Sequence, residues 1–551
     1  MMADDTLQPG TSRSEISSSG SPSFSAEPWQ PSVNPWVIGV VVAIAAFMEV
    51  LDTSIANVAL PYMAGNLGAS NDESTWVLTS YLVSNAIVLP ISGWFAAVFG
   101  RKRFFMICLA IFTVSSLLCG MAPSLGAIIL FRVLQGAGGG GLQPMAQAIM
   151  ADSFPPRLRG AAFALYGITA IIAPTIGPTL GGWITDNYTW RWIFFINLPV
   201  GIVALLLVYR LIEDPPWVKR AAGAGIKIDY VGVSLLALGV GALQVMLDKG
   251  QEDDWFGSHF ILTLAVIAAV CLVSLVLWEW FYASPIIEVR LFKNLNFLGA
   301  NAMMFILGIM LFSSLVMMPL FLQTLMGYTA ESAGLVLSGG GLLLLFLMPI
   351  AGTLASKFQA RYIIAFGWLA LSLSMYYTTQ HLDLDISFRS ASVLRVVQVF
   401  GLGFLFVPIN LVSYVGMPAD KSNSVAGLVN FMRNIGSSIG TSMVTTLLAR
   451  RAQLHQVFLA AHVTPGQPPF TLRAQALVAR LASLGRGGGP GSPRVASEAY
   501  GLVYRAMIGQ ATTLAYIDTF WVLSVGAAIM FVVSFALRKN EPGGGGEVAV
   551  G

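Results

Sequence analysis

The chain has 551 residues, of which 56% are hydrophobic and only 10% are charged, and its mean hydropathy is +0.74. Because charged residues make up about a quarter of an ordinary soluble domain, this composition excludes a water-soluble fold and predicts that the lipid bilayer is the solvent. The net charge of +3 does not indicate nucleic-acid binding, since the basic residues lie in short loops beside apolar runs, and the three cysteines inside apolar segments indicate neither a disulfide framework nor a metal site.

Residues 1–34 are rich in serine and proline and lack the basic start of a secretory signal, which predicts a disordered tail. The chain then continues as apolar stretches of about 20 residues or more, each long enough to cross roughly 30 Å of hydrocarbon. We predict fourteen spans, which begin near Trp36, Thr75, Phe104, Ala127, Gly160, Trp192, Ile228, Phe260, Leu298, Ala330, Tyr362, Ser390, Ser424 and Tyr516. Lysine and arginine are concentrated in the loops of one side, which predicts that both termini, including a tail at 538–551, are cytoplasmic.

The sequence repeats itself at a spacing of about 260 residues. The pairs are Arg132 and Arg395, Gln135 and Gln398, Gly138 and Gly401, Pro61 and Pro319, Gly93 and Gly352. Six spans at 35–214 and six at 298–537 follow the repeat, whereas the two spans of 215–297 have no counterpart and an outer loop occupies 450–510. Parallel repeats are typical of secondary transporters. The sequence therefore predicts an all-α polytopic membrane protein with two six-helix halves plus two inserted helices.

Few ionisable side chains fall inside the spans, and each costs about 2.5 to 3.5 kcal/mol near the bilayer centre. Glu49 and Asp52 share a face of the first span, and Arg132 enters the fourth span at the depth of Asp52, which predicts an ion pair between these two. Burial favours the neutral form of a carboxyl and a cation favours its charged form, whereas arginine keeps its proton. We assign proton coupling to Asp52, Glu49 and Arg132. The alternatives are a structural ion pair at Asp52 and an inert, protonated Glu49.

Other polar and small residues of the spans form two further groups. Candidates for binding a substrate are Asn57, Gln135, Asn430 and Arg433, although most such side chains only bond neighbouring helices. Arg433 either faces the cavity or pairs with a backbone carbonyl, and we interpret Arg395 as structural. The run 173–182 combines small residues with two prolines, which suits a hinge or a seal against proton leakage.

Nucleotide and enzyme chemistry find no support in the sequence. No GxxxxGK[ST] motif is present, so ATP hydrolysis is not the energy source. The run 136–141 satisfies GxGxxG but falls within a span, where we predict helix rather than a phosphate-binding loop. No pairing of nucleophile and base is visible. We expect neither an enzyme nor a cofactor.

Several stretches resemble the major facilitator superfamily, and within it the fourteen-span drug:proton antiporters of the EmrB/QacA type. Leu51 to Pro61 (LDTSIANVALP) is similar to the first-helix signature, and Gly177 to Gly182 (GPTLGG) to the antiporter motif, for which we name Pro174, Gly177, Pro178, Gly181 and Gly182. Trp192 to Gly201, Met246 to Phe256 and Pro285 to Phe297 resemble the EmrB branch. The resemblance implies a bacterial inner-membrane antiporter that exports hydrophobic or amphipathic drugs and is driven by the proton gradient. It also implies a periplasmic adaptor and an outer-membrane channel as partners, with the outer loop as docking surface.

The loop after the second span departs from the family pattern. That pattern is Gly-x-Leu-Ala-Asp-Arg-x-Gly-Arg-Lys, and this chain keeps Gly93, Gly100, Arg101 and Lys102 but has alanine and valine at 97 and 98 in place of the charged pair. We therefore expect this cytoplasmic gating loop to close by packing. Two other functions stay open: a dedicated exporter of one endogenous metabolite, and a membrane sensor or scaffold that does not transport.

Overall fold

A computed structural model of the protein describes residues 31–214, 229–283, 285–418, 421–464, 467–483 and 492–537. These residues form helices and contain no β-strand. The helices before residue 215 are α1 Pro35–Leu67, α2 Asn71–Ser74, α3 Trp76–Phe99, α4 Arg101–Met121, α5 Leu125–Ser153, α6 Arg159–Asn187, α7 Trp192–Phe195 and α8 Asn197–Leu211. Two inserted helices follow, α9 Tyr230–Lys249 and α10 His259–Phe281. The remaining helices are α11 Leu295–Thr324, α12 Ala330–Lys357, α13 Ala360–His381, α14 Phe388–Gly403, α15 Phe406–Ser413, α16 Ser422–His462, α17 Pro468–Ser483 and α18 Pro493–Ser534.

Within the described chain, twelve helical segments are long and apolar enough to cross a membrane. Helices α13 and α16 also lie where spans are predicted, but they are not among the twelve. For α16 the sequence explains why it is not among the twelve, since it contains Asn430, Arg433, Asn434 and several serine and threonine residues. The all-helical membrane architecture is confirmed, whereas the total of fourteen spans stays a prediction.

The first half comprises α1 to α8 and the second half α11 to α18. They meet where α3 packs against α16 and where α6 packs against α12. We call the end of the bundle that carries Pro35, Arg101 and Arg159 the near end, and the end that carries Leu67 and Met121 the far end. The run 136–141 is helical, as predicted, and lies inside α5. A Cβ atom on Gly139 would lie 2.6 Å from the Tyr81 hydroxyl, so glycine lets α3 approach this closely.

The inserted helix α9 contacts both halves. Its Gln244 accepts a hydrogen bond of 2.9 Å from Ser438 of α16, and its Asp248 accepts one from Thr79 of α3. Helix α10 packs mainly on α9 and is otherwise exposed, as suits a helix that faces lipid. The inserted pair therefore joins the two halves from one side of the bundle.

Two helices continue well past the thickness of a bilayer. Helix α16 has 41 residues and α18 has 42, which at about 1.5 Å per residue gives roughly 60 Å against roughly 30 Å of hydrocarbon. Helix α17 packs on α18 beyond the far end. The described part of 450–510 is thus largely helical, and the glycine-rich run 487–491 lies outside the described residues.

Candidate transport site

The predicted ion pair between α1 and α5 is confirmed. Arg132 Nη1 donates to Asp52 Oδ2 at 2.6 Å, and both side chains are fully buried. Gln135 Nε2 and Asn197 Nδ2 donate to the other carboxylate oxygen at 2.9 and 2.6 Å. Three donors, one of which is a cation, therefore surround the Asp52 carboxylate.

Arg132 is positioned by aromatic rings as well as by the carboxylate. Its guanidinium carbon lies 4.4 Å from the centre of the Tyr81 ring and 5.6 Å from that of Phe194. Its Nε donates to the Val77 carbonyl at 3.1 Å. Asn197 Nδ2 also donates to Ser116 Oγ at 3.0 Å. The ion pair thus connects α1, α3, α4, α5 and α8 of the first half.

Glu49, three residues earlier on α1, has different neighbours. Its carboxylate accepts hydrogen bonds from Tyr81 Oη at 2.9 Å, from Asn85 Nδ2 at 3.0 Å and from Gln143 Nε2. The side chain is 3% exposed, and among the described residues no basic group lies within ion-pair distance of it. Glu49 is thus a buried carboxyl whose direct partners are all neutral, whereas Asp52 has a cation bonded to it.

Gln143 connects Glu49 to the second half. Its Oε1 accepts from Tyr166 Oη at 3.2 Å and from Arg433 Nη2, and α16 supplies that arginine. The guanidinium carbon of Arg433 lies 5.8 Å from the centre of the Phe406 ring. Arg433 is buried. It contacts the first half through the side-chain amide of Gln143 and not through a backbone carbonyl.

A second polar contact between the halves lies beside the first. Asn430 donates to Gln147 and accepts from Tyr166 at 3.0 Å, and Gln147 donates to Asn410. Gln147 and Asn410 correspond at the repeat offset of 263 residues, so they meet across the pseudo-symmetry axis. Asn57 is not part of either network: it is exposed on α1 and has no hydrogen bond to the described residues.

The antiporter run of α6 packs on α1. Ser54 Oγ donates to the Pro174 carbonyl at 3.2 Å, and a Cβ atom on Gly177 would lie 2.3 Å from that hydroxyl. Gly181 lies against Ile55, whereas the Cβ position of Gly182 has no neighbour within 4 Å. Helix α6 remains helical through both of its prolines, Pro174 and Pro178.

At the near end, the backbones of the two halves touch at two places. A Cβ atom on Gly93 of α3 would lie 2.9 Å from Ser424 Cα of α16. A Cβ atom on Gly352 of α12 would lie 2.5 Å from the Gly160 carbonyl oxygen of α6. Gly93 and Gly352 are repeat mates, and Gly160 corresponds to Asn423, the residue before Ser424. We call this pseudo-symmetric pair of contacts the glycine gate.

A polar bridge strengthens only one of the two contacts. Arg101 forms a buried ion pair with Asp152 of α5 and donates to Ser422 Oγ of α16 at 2.9 Å. The loop that leads into α4 turns at Gly100, whose φ of +84° favours glycine. The Lys102 amide donates to Asp214 at 2.8 Å. At this loop Arg101 makes the polar link to the second half, whereas the approach of Gly93 to Ser424 is a packing contact.

Several residues of these networks were not singled out from the sequence as site residues, namely Tyr81, Asn85, Ser116, Gln143, Gln147, Asp152, Tyr166 and Asn197. Asn85 and Gln143 are polar residues inside predicted spans, which is a weak signal. Asn197 falls in a stretch typical of the EmrB branch, and that resemblance was the only pointer to it.

The model of the Major Facilitator Superfamily matches residues 42–441. The chain belongs to this superfamily. It is 39% identical to the multidrug export protein EmrB of Haemophilus influenzae over 78% of this chain and 84% of that protein. It is 40% identical to the fatty acid resistance protein FarB of Neisseria gonorrhoeae over 77% and 82%. The solved structure of the proton:xylose symporter XylE covers 92% of this chain and 96% of its own with a TM-score of 0.55 at 13% identity, which supports the fold.

Proposed function

We propose that this superfamily member is a drug efflux transporter of the bacterial inner membrane that exchanges hydrophobic or amphipathic compounds for protons. Similarity to the multidrug export protein EmrB supports the substrate class. The distribution of lysine and arginine supports a cytoplasmic near end, with both termini on that side. The proton gradient is then the energy source, and no cofactor is required.

The contrast between Glu49 and Asp52 carries the proposal of proton coupling. Asp52 already has Arg132 as its ionic partner. Glu49 is equally buried but is bound by an amide pair and a phenol. Glu49 is therefore the carboxyl that binds and releases the proton, and Asp52 holds Arg132 and the surrounding helices in position.

Arg433 links that proton to movement of the halves. When Glu49 is ionised, it attracts Arg433 across Gln143, and this attraction draws α16 toward α1. Across one intervening amide and at an effective dielectric constant near 20, such an attraction is on the order of 2 kcal/mol. Protonation removes it. One proton that crosses about 100 mV with a pH step of one unit yields about 3.7 kcal/mol, so the proton gradient is large enough to drive the change.

The experiment is proton release in proteoliposomes upon addition of a cationic dye, followed with an entrapped pH indicator. We expect Glu49→Gln to abolish release while the protein still inserts and binds dye. Glu279→Gln is the matched control, because Glu279 of α10 is also buried but accepts from the Ile286 backbone amide, away from the network. Release that persists in Glu49→Gln would contradict the assignment.

The long helices α16 and α18 support a partner beyond the far end. We propose a periplasmic adaptor as that partner, with an outer-membrane channel behind it. Beyond the far end, α16 and α17 expose Phe458 and Leu472, which are 61% and 67% exposed. A groove of about 350 Å³ lined by Phe470, Val478 and Tyr500 lies beside them.

A dedicated exporter of one metabolite is the second candidate, and similarity to the fatty acid resistance protein FarB favours it. Expression in a host that lacks its own pumps separates the two. Resistance to chemically unrelated drugs supports the multidrug transporter, and resistance to one class of compound supports the dedicated exporter. A sensor or scaffold would show no substrate-driven proton movement in wild-type protein.

A further inference from the structure

The second half contains a copy of the arginine site of the first half. Arg395 and Gln398 of α14 are the repeat mates of Arg132 and Gln135. Arg395 is 1% exposed, and its Nη1 donates to Gln398 Oε1 at 3.3 Å and to Ser314 Oγ of α11 at 3.2 Å. Its Nε has no partner among the described residues.

The two copies differ in the group that accepts hydrogen bonds from the arginine and the glutamine. In the first half, Arg132 and Gln135 both donate to the carboxylate of Asp52. In the second half, Gln398 Nε2 donates to Thr378 Oγ1 at 3.1 Å, and no carboxylate of the described chain lies within ion-pair distance of Arg395. The arginine–glutamine arrangement that holds a carboxylate in one half is therefore repeated in the other without the carboxylate.

A buried guanidinium without a negative partner is unfavourable. Arginine does not lose its proton at any ordinary pH, and a charge in a low-dielectric interior needs a counterion. The planar guanidinium matches a carboxylate, to which it can donate two parallel hydrogen bonds. A carboxylate from outside the chain would satisfy Arg395 as Asp52 satisfies Arg132.

We propose that the site formed by Arg395, Gln398 and Ser314 binds the carboxylate of an anionic amphipathic compound. Its role in export rests on the proposed efflux function, whereas binding itself does not. The site is closed in this structure, since Arg395 is buried, so the compound enters when α11 and α14 move apart during transport. A free inorganic anion such as chloride is the other possible source of the negative charge.

The decisive variants change Ser314. Ser314→Asp supplies an internal carboxylate beside Arg395, and Ser314→Asn is its matched control of similar size without charge. The full chain is purified into lipid nanodiscs, and its thermal unfolding midpoint is followed against decanoate, the neutral analogue decanamide, and chloride. We expect decanoate to raise the midpoint of wild type and decanamide to leave it unchanged. Ser314→Asn changes the size of the side chain but not its charge, so decanoate should raise its midpoint less than that of wild type but more than that of Ser314→Asp.

In Ser314→Asp and in Arg395→Gln, the apparent affinity for decanoate should fall roughly 30-fold or more, since one partner of a buried charge pair is blocked or removed. Ser314→Asp without ligand should unfold at a higher temperature than wild type, which shows that it folds. A decanoate shift that survives in Ser314→Asp overturns the proposal. A chloride shift as large as that of decanoate assigns the site to an inorganic anion and overturns it too.

The same variants separate this inference from the proposed function. Dye-driven proton release should persist in Ser314→Asp, because the Glu49 network is untouched. If wild type releases no protons with any substrate, the proposed function fails, while the decanoate shift still reports on the site.

Discussion

Asp52 and Glu49 lie three residues apart on α1, and their neighbours give them different chemistry. A cation is bonded directly to Asp52, whereas Glu49 reaches its nearest cation, Arg433, only through the amide of Gln143. Tyr81 contacts both sites, because its hydroxyl donates to Glu49 and its ring lies under Arg132. One aromatic side chain therefore connects Glu49 to the ion pair.

Replacement of one member of the ion pair should cost more than replacement of both. Asp52→Asn leaves the buried Arg132 without an anion, which should lower the free energy of unfolding by about 3 to 5 kcal/mol. Asp52→Asn combined with Arg132→Gln removes both charges and should recover most of that loss. Unfolding of the purified protein in detergent measures the cycle. Losses that simply add would show that the two residues act independently.

At the residue scale, the sequence was sufficient to predict the ion pair but not the polar side chains that surround the two carboxyl groups. Depth along two apolar helices placed Asp52 and Arg132 at one level. Asn197 is 145 residues away from Asp52 in the chain and Tyr81 is 32 from Glu49, and neither has a charge that would demand a partner. Their positions depend on how α8 and α3 rotate against α1, which the hydrophobic pattern alone does not determine.

At the scale of helices, the glycine gate depends on two crossings, α3 with α16 and α6 with α12. Both bring backbone against backbone, so the width of one side chain decides whether the near end closes. The repeat in the sequence predicted that Gly93 and Gly352 play equivalent parts. Their contacts, Ser424 and Gly160, could not be predicted, because they depend on the docking of the halves.

A methyl group at the gate should hold the near end open. In Gly352→Ala and Gly160→Ala the new Cβ would lie 2.5 and 2.4 Å from the opposing carbonyl oxygen, so the backbones must separate. Spin labels at Phe99 and Phe358, both exposed near that end, should then report a longer distance than in the parent protein. Transport should fall as well.

Gly126→Ala in α5 is the control for this experiment, because its Cβ would meet nothing within 4 Å and the residue lies outside every site described above. It should keep the parent distance and the parent transport rate. Unchanged distances in both gate variants would mean that the bundle absorbs the methyl group elsewhere, and the gate would then lie at the Arg101 bridge instead.

At the scale of the molecule, hydropathy predicts the part of a helix that lies in lipid and little beyond it. The last span was expected to begin near Tyr516, whereas α18 begins at Pro493. The first turns of α18 and the last turns of α16 are too polar to be recognised as spans, yet both are helical. Val495 and Ala499 of α18 are buried against Leu481 of α17, and Gln456 of α16 donates to Tyr504 of α18 at 3.4 Å. The repeat predicts two halves with an inserted pair of helices, but it does not predict the helical structure of α16, α17 and α18 that projects beyond the far end.

The projecting helices give the last prediction. If an adaptor docks there, its contact needs the exposed apolar side chains of α16 and α17, because such surface beyond the membrane is costly without a partner. Leu472→Asp and Phe458→Asp should therefore abolish drug resistance of whole cells and crosslinking to the adaptor. Dye-driven proton release in proteoliposomes should be unchanged, since Glu49 and the glycine gate are distant. Gln453→Asp adds the same charge at an exposed polar position of α16 outside the groove, without removing an apolar side chain, and should keep full resistance. Full resistance from both apolar variants would exclude this surface as the docking site, and a joint loss of proton release would indicate a structural defect instead.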